Sequence, residues 1–280
     1  MLGSLVVIYP TPHEGGELVL RHKEQEWKID AKTLTASQSS PSLAYVAFYS
    51  DIEHEILKVT SGHRVTVTYN LYLVDMSSEP QAPAVTTNAQ SGSALKSTLQ
   101  ALLKSSEFLP NGGTLGFGLA HLYPVTPYTN LKEMESRLKG EDLHVYQACR
   151  ELQLRPSLQM IYDDGESGSK YGIMMNKIIM DPDYDYHETS YEGALVKELG
   201  GISVNKTEGA SLAGSTWVRD RRRKKGEFIT WVSPFNQRNQ LQDTGVAYGN
   251  ECTTRYIYCS PCLIVRIADA RDRARVYRRR

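Results

Sequence analysis

Short runs of aliphatic, β-branched and aromatic residues, separated by turn-forming residues, occupy the beginning of the chain. Runs of this length and composition are typical of β-strands, and the glycine and proline residues between them are typical of turns. The turn at 11–16 ends with two glycines, which tolerate the backbone angles of a chain reversal. The predicted strands are residues 5–9, 17–22, 26–29 and 45–49.

Within the run 64–74, residues 64–69 alternate strictly. Apolar and polar residues alternate there in the order Arg64, Val65, Thr66, Val67, Thr68 and Tyr69. This period of two predicts a half-buried strand, and residues 52–59 are predicted to pair with it as a hairpin around a turn at 60–62. Consecutive short strands of this kind favour a jelly-roll or barrel-like sheet. Residues 1–75 are therefore predicted to form a partial double-stranded β-helix.

The remainder of the chain has a different pattern. Residues 76–94 are rich in Ser, Pro, Ala and Thr, which predicts a linker or a long surface loop. Leucines with helical spacing follow at residues 95–103. Further strands are predicted at 114–122, 157–162, 171–179, 228–232 and 256–267, and further helices at 131–138 and 143–152. Residues 95–280 are thus expected to form an α+β region, and the fold class as a whole is mixed but mainly β.

The composition excludes several classes of protein. The 280 residues carry 32 basic and 32 acidic side chains, so no overall field attracts nucleic acid or a membrane surface. Hydrophobic residues make up 40%, which is enough for a substantial core. No apolar run approaches the roughly 20 residues of a transmembrane helix, and no signal peptide is visible. We expect an intracellular protein, cytoplasmic or nuclear, that binds neither membranes nor nucleic acid.

Other motifs have alternative interpretations. Cys259-Ser-Pro-Cys262 has the spacing of a zinc knuckle or a redox pair, but no second Cys or His pair lies nearby, so we expect buried thiols. The basic run 219–225 is predicted to be a solvated loop, with nucleic-acid binding as the lowest-ranked alternative. The basic residues 271–280 are predicted to be a frayed tail. Asn205-Lys-Thr207 matches a glycosylation sequon, which matters only in a secreted protein.

Candidate chemistry is concentrated between His54 and Arg64. Imidazole suits Fe(II), and a set of two histidines and one carboxylate leaves positions open for a keto acid and O2. A guanidinium holds a carboxylate through two parallel hydrogen bonds, and Thr66 would present its hydroxyl on the same face as Arg64. The pattern predicts that His54 and Arg64 lie on neighbouring strands of one antiparallel pair, as metal ligand and carboxylate anchor.

Residues 3–22, 47–54 and 62–72 resemble fungal members of the Fe(II)/2-oxoglutarate dioxygenases of the prolyl 4-hydroxylase type, and residues 248–251 do so more weakly. The resemblance implies that His54 is the distal iron ligand and that Arg64, with Thr66, holds 2-oxoglutarate. It also implies Fe(II) and 2-oxoglutarate as cofactors, with ascorbate as a further candidate, and O2 as a reactant. Oxidative decarboxylation to succinate would accompany hydroxylation of an unidentified protein or small molecule, a prolyl side chain being one option.

The chain departs from the family pattern at the iron site. The family places His-x-Asp on a strand upstream of the strand that corresponds to residues 3–10, and His13-Glu14-Gly15 has no carboxylate at the required position. His22-Lys-Glu24 has the spacing but would lie on the wrong strand, and Asp51 is expected to point away from His54 on the same strand. Two interpretations stay open: an N-terminally truncated dioxygenase, or an inactive remnant that acts as a binding or scaffold domain. No residue is assigned a catalytic role.

Overall fold

The computed structural model describes residues 1–35, 42–72, 89–163, 169–179, 191–207, 226–234, 239–246 and 252–278. More residues lie in strands than in helices, so the prediction of a mainly β chain is confirmed. The chain forms two compact units, Met1–Ala84 and Val85–Arg280, which we name the first unit and the second unit. Their boundary falls within the predicted linker, of which residues 76–88 lie outside the described residues.

The first unit is built from short antiparallel strands. Its elements are β1 (Gly3–Ile8), β2 (His13–Gly15), β3 (Leu18–His22), β4 (Gln25–Ile29), α1 (Ala31–Thr35), β5 (Ala44–Tyr49), β6 (Glu53–Ile56), β7 (Val59–Gly62) and β8 (Thr66–Leu71). They form three small sheets with the strand orders β5-β1-β8, β2-β7 and β4-β3-β6. Each strand after β5 therefore pairs with a strand from the beginning of the unit.

The register of β1 decides which face of the first sheet is buried. Val6 and Ile8 on β1 are buried, and Ile8 lies directly opposite Thr66 of β8. Directly opposite residues share a face, so Thr66 lies on the side of the core. The half-buried strand predicted from the alternation is not observed: the four residues between Thr66 and Leu71 are all exposed, with Val67 36% and Tyr69 55% exposed.

The hairpin predicted between residues 52–59 and 64–74 is wrong. β6 pairs with β3, β7 pairs with β2, and β8 pairs with β1. The predicted turn is itself part of β7, because Gly62 lies opposite His13 in a close approach of the two backbones. A Cβ at Gly62 would lie 2.2 Å from the carbonyl oxygen of Pro12, and φ of +74° also favours glycine there.

The second unit combines one large sheet with helices. Its elements are α2 (Ala89–Lys104), β9 (Gly113–Gly118), α3 (Leu131–Glu135), α4 (Gly140–Glu151), β10 (Ser157–Asp163), β11 (Tyr171–Met175), α5 (Tyr191–Lys197), β12 (Ile202–Asn205), β13 (Ile229–Ser233), β14 (Asn239–Val246), β15 (Cys252–Ile267) and α6 (Ala270–Arg278). The strand order is β12-β11-β10-β15-β9-β13, with β14 paired to β15. Only β9 and β13 are parallel among these described pairs.

This sheet curls until its two end strands meet. Val204 of β12 forms a parallel bridge with Glu227, just before β13, and Glu227 N donates to Ser203 O at 2.9 Å. The residues that point into the curl form one apolar cluster: Ile161, Met174, Val204, Ile229, Trp231, Cys262 and Ile264. The alternate positions of β15, including Leu263 and Val265, belong to the cluster that includes helix residues such as Leu99 and Leu103 of α2. The sheet therefore separates two apolar layers.

Two boundaries differ from the sequence predictions. Helix α2 begins at Ala89, inside the predicted linker 76–94. The predicted frayed tail 271–280 is instead largely helix α6, because Arg273 is buried and bonded to main-chain carbonyls. Among the described residues, no helix is long and apolar enough to cross a membrane.

Candidate functional site

His54, the residue predicted as a metal ligand, lies on β6, opposite Leu20 of β3. Its Nδ1 lies 3.2 Å from the carbonyl oxygen of Ile52. A carbonyl oxygen can only accept, so Nδ1 donates the proton and Nε2 keeps a free lone pair. This is the arrangement that orients histidine ligands in metal sites. The ring contacts Phe48 with a centroid distance of 4.9 Å, which restricts its rotation although the residue is exposed.

Arg64 lies in the connection between β7 and β8 and is half-buried. Its Nε is fully buried and has no hydrogen-bond partner, and Arg64 forms no ion pair with any described residue. Burial lowers the pKa of its guanidinium below the usual value. A buried N–H without a partner is rare in folded proteins because its desolvation is not offset. A ligand with an acceptor oxygen would satisfy it.

His13 has a second unsatisfied atom next to the same glycine. Its Nδ1 donates to Thr11 O at 2.7 Å, and its Nε2 is buried without a partner, in a residue that is 6% exposed. A Cβ built on Gly16 would lie 2.9 Å from Cδ of Arg64 and 3.7 Å from Cδ2 of His13. Each of these carbons is bonded to one of the unsatisfied nitrogens. The absence of a side chain at Gly16 therefore allows Arg64 to pack closely against the main chain, with His13 nearby.

The structure overturns one sequence-based expectation about this region and adds His13 to the residues that lie near Arg64. His54 and Arg64 do not lie on neighbouring strands of one antiparallel pair, because β6 pairs with β3 while Arg64 lies outside the strands. The sequence excluded His13 only as part of a His-x-Asp motif, and its burial near Arg64 was not predicted. The signal available in the sequence was the glycine pair at 15 and 16, which begins two residues after His13. Thr66 begins β8 and is half-buried, whereas Arg64 precedes the strand.

The acidic residues next to His54 in sequence lie close to Arg21. Glu53 and Glu55 lie on the opposite face of β6 from His54, where both approach Arg21 of β3. Arg21 bonds Glu55 at 2.6 Å and Glu26 at 2.8 Å, and its nearest contact with Glu53 is 4.0 Å. The hydrogen bond from Arg21 holds the pKa of Glu26 below its usual value. These carboxylates are therefore matched to a cation rather than to His54.

Asp51 was expected on the same strand as His54, and this is wrong. It lies in the turn between β5 and β6, so strand alternation does not determine its direction. One carboxylate oxygen of Asp51 lies within 4.8 Å of a ring nitrogen of His22, at the end of β3. Both residues belong to the first unit, so the carboxylate near His22 there is that of Asp51.

The remaining candidates are either structural or undescribed. Cys259 and Cys262 are buried free thiols, as expected, and Cys149 is a third. Cys259 and Cys262 are three residues apart on β15 and lie in different apolar clusters, so they cannot share a zinc ion. Burial raises the pKa of Cys149 to about 11 and that of Cys259 to about 12. The basic run 219–225 and the stretch 248–251 lie outside the described residues.

Comparisons of this chain with family models, with curated proteins and with solved structures find no match.

Proposed function

We propose that the first unit binds 2-oxoglutarate through Arg64 and serves an Fe(II)/2-oxoglutarate-dependent dioxygenase of the prolyl 4-hydroxylase type, a hydroxylase. The observation that carries the proposal is the half-buried side chain of Arg64, whose buried Nε has no partner among the described residues. In this proposal the three antiparallel sheets are part of a double-stranded β-helix. The sequence resemblance supports the same residue in the same role.

The environment of Arg64 fits a carboxylate. A guanidinium offers five N–H donors in a planar fork, and a carboxylate accepts two of them in parallel. Such charge-assisted bonds are stronger where water is partly excluded, as it is around this half-buried side chain. Val59 is an apolar neighbour on the same side of Gly16, because a Cβ built at Gly16 would lie 2.9 Å from its Cγ2. The hydroxyl of Thr66 is the candidate for an additional hydrogen bond.

His54 fits as one ligand of an Fe(II) site. The free Nε2, oriented by the bond from Nδ1 to Ile52 O, is the donor that such a site requires. When bound, iron would supply the activation of O2 that couples decarboxylation of 2-oxoglutarate to hydroxylation of substrate. Glu53 and Glu55, which could complete the set by proximity in sequence, are occupied by Arg21. The contribution that the described residues make is to bind and orient the keto acid.

That partial ligand set favours a second candidate function, a domain that binds 2-oxoglutarate or a similar dicarboxylate without turnover. The two functions share Arg64 and differ only in whether succinate forms. Prolyl side chains remain the substrate option that the resemblance offers for the enzyme.

Titration of the full chain with 2-oxoglutarate, anaerobically and with or without Fe(II), tests the shared site. Arg64→Gln should weaken binding by about tenfold or more, because one charge-assisted interaction is lost. Arg21→Gln is the matched control, since Arg21 lies in the same unit and pairs only with exposed carboxylates. Binding that is absent, or that Arg64→Gln leaves unchanged, would overturn the proposal.

Succinate release in air with Fe(II) then separates the two functions. Succinate that depends on both His54 and Arg64 identifies the dioxygenase. Binding without succinate identifies the binding domain.

A further inference from the structure

A cavity of about 480 Å³ lies within the second unit, between the end of α2, the segment that joins α4 to β10, and the beginning of α6. This volume lies within the range of about 300–1,000 Å³ that is usual for small-molecule sites. Its apolar wall is formed by Leu103, Leu152, Leu154, Ile267 and Ala268. Aliphatic side chains from four different parts of the unit therefore surround one space.

The charged residues around the cavity are mostly basic. Three arginines and one aspartate line it, which gives a formal balance of +2. Arg266 is neutralised by Glu227, with two hydrogen bonds of 3.1 and 2.9 Å. Asp272 bonds Arg275 at 3.0 Å, so its negative charge is also matched. Two guanidinium groups, those of Arg155 and Arg273, have no carboxylate partner among the described residues.

Arg273 is a buried cation that is held by neutral groups alone. It is 7% exposed, and all five of its N–H donors bond to main-chain carbonyls at 2.5–3.2 Å. The carbonyls belong to Leu103, Ser105, Phe108, Leu109 and Ala268. Their dipoles stabilise the guanidinium but do not cancel its charge, and in a medium of low dielectric constant that charge acts over a longer range. The cavity beside it is a favourable place for an anion.

Arg155 can contact such an anion directly. It is exposed, follows the wall residue Leu154, and makes no ion pair with any described residue. We propose that the cavity binds a medium-chain fatty acid, with the carboxylate at Arg155 and the hydrocarbon chain against the aliphatic wall. The apolar surface accounts for the chain, and the two unmatched guanidinium charges account for the preference for a carboxylate. This site lies in the second unit and does not depend on the proposed function of Arg64.

The test is calorimetric titration of the full chain with decanoate below its micellar concentration. We expect saturable one-to-one binding, and much weaker binding of decyltrimethylammonium, which has the same chain and the opposite charge, and of acetate, which lacks the chain. Arg155→Gln should weaken decanoate binding by about tenfold. Arg137→Gln, at an exposed arginine of the same unit outside the cavity lining, should leave it unchanged.

A second variant tests the apolar half of the site. Ala268→Leu places a larger side chain at an exposed position of the wall and should also weaken binding, without removing any charge. The proposal is overturned by any of three results: no saturable binding of decanoate, equal binding of the cationic analogue, or binding that neither Arg155→Gln nor Ala268→Leu changes.

Discussion

Asn205 joins the two end strands of the curled sheet, and its removal should be costly. Its side chain accepts a hydrogen bond from Ile229 N at 2.7 Å and donates to Ile229 O at 2.8 Å and to Thr207 O at 3.1 Å. Its main-chain oxygen accepts from Nε1 of Trp231 at 2.9 Å. Asn205 and Ile229 are both fully buried. The side-chain amide of Asn205 thus makes the pair of hydrogen bonds to Ile229 that a neighbouring strand would otherwise make. It does so at the point where the two end strands of the sheet meet.

The magnitude follows from the groups that Asn205→Ala would leave without partners. The N–H and C=O of Ile229 would both lose their bonds in a place that water does not reach, at about 1–3 kcal/mol for each group. Thr207 is exposed, so its carbonyl can bond to water instead. The bond from Trp231 goes to the main chain and is kept. We expect a loss of about 2–6 kcal/mol in the free energy of unfolding.

Asn205→Asp adds a dependence on pH. One carboxylate oxygen can still accept from Ile229 N, but the other would face the carbonyl oxygens of Ile229 and Thr207. Burial and these oxygens favour the protonated acid, so its folded-state pKa lies above the unfolded value of about 3.9. The variant should therefore be closest to the parent at low pH and lose stability as pH rises through the folded-state pKa.

Urea unfolding followed by the fluorescence of Trp231 is the assay, in a full-length background that carries Trp27→Phe and Trp217→Phe. Asn130→Ala is the matched control, because Asn130 is exposed and caps helix α3, a role worth about 1 kcal/mol. The reasoning is refuted if Asn205→Ala costs no more than this control, or if the Asn205→Asp variant shows the same difference from the parent at every pH.

Further predictions concern a glycine, an ion pair and a thiol. Gly16→Ala should lower stability by about 1 kcal/mol because φ at Gly16 is +75°. The same variant should weaken 2-oxoglutarate binding by displacing Arg64. An unchanged melting temperature and an unchanged affinity would contradict these two expectations. Burial raises the pKa of Glu227, but bonds from Arg266 and Thr114 outweigh this and lower it overall. The stability that Glu227 contributes should therefore be lost on acidification below its ordinary pKa of 4.5. The free energies of unfolding of the parent and of Glu227→Gln should converge as pH falls. A difference between them that is constant with pH would count against the pairing. Burial raises the pKa of Cys259 to about 12. Aromatic disulfides at neutral pH should therefore modify this thiol only after unfolding. Rapid modification of Cys259 in the native protein, located by mass spectrometry, would disprove its burial.

Local patterns predicted most strands of the first unit, but not β2 and β7, which lie in predicted turns, and not the strand partners. Alternation and turn residues depend on near neighbours in sequence, which is why β1, β3 and β5 were placed correctly to within a few residues. Pairing depends on contacts between distant residues, so the proximity of residues 52–59 and 64–74 suggested a hairpin that does not form. The same limit applies to Asn205, which reads as a sequon in the sequence and is an inaccessible link between strands in the fold.

The state of the buried polar groups distinguishes structural residues from candidate binding residues, which the sequence alone does not. Asp142 is buried and accepts from Ala120 N, His121 N and the hydroxyl of Tyr123, so its requirements are met within the fold. Arg64 is different, because its buried Nε has no partner among the described residues. Folding alone gains nothing from burying an unsatisfied donor, and a bound acceptor would remove the cost. If Arg64 were purely structural, Arg64→Met should stabilise the apo protein and have no effect on 2-oxoglutarate. If it binds a carboxylate, the same variant should stabilise the apo protein and abolish the rise in melting temperature that 2-oxoglutarate gives the parent.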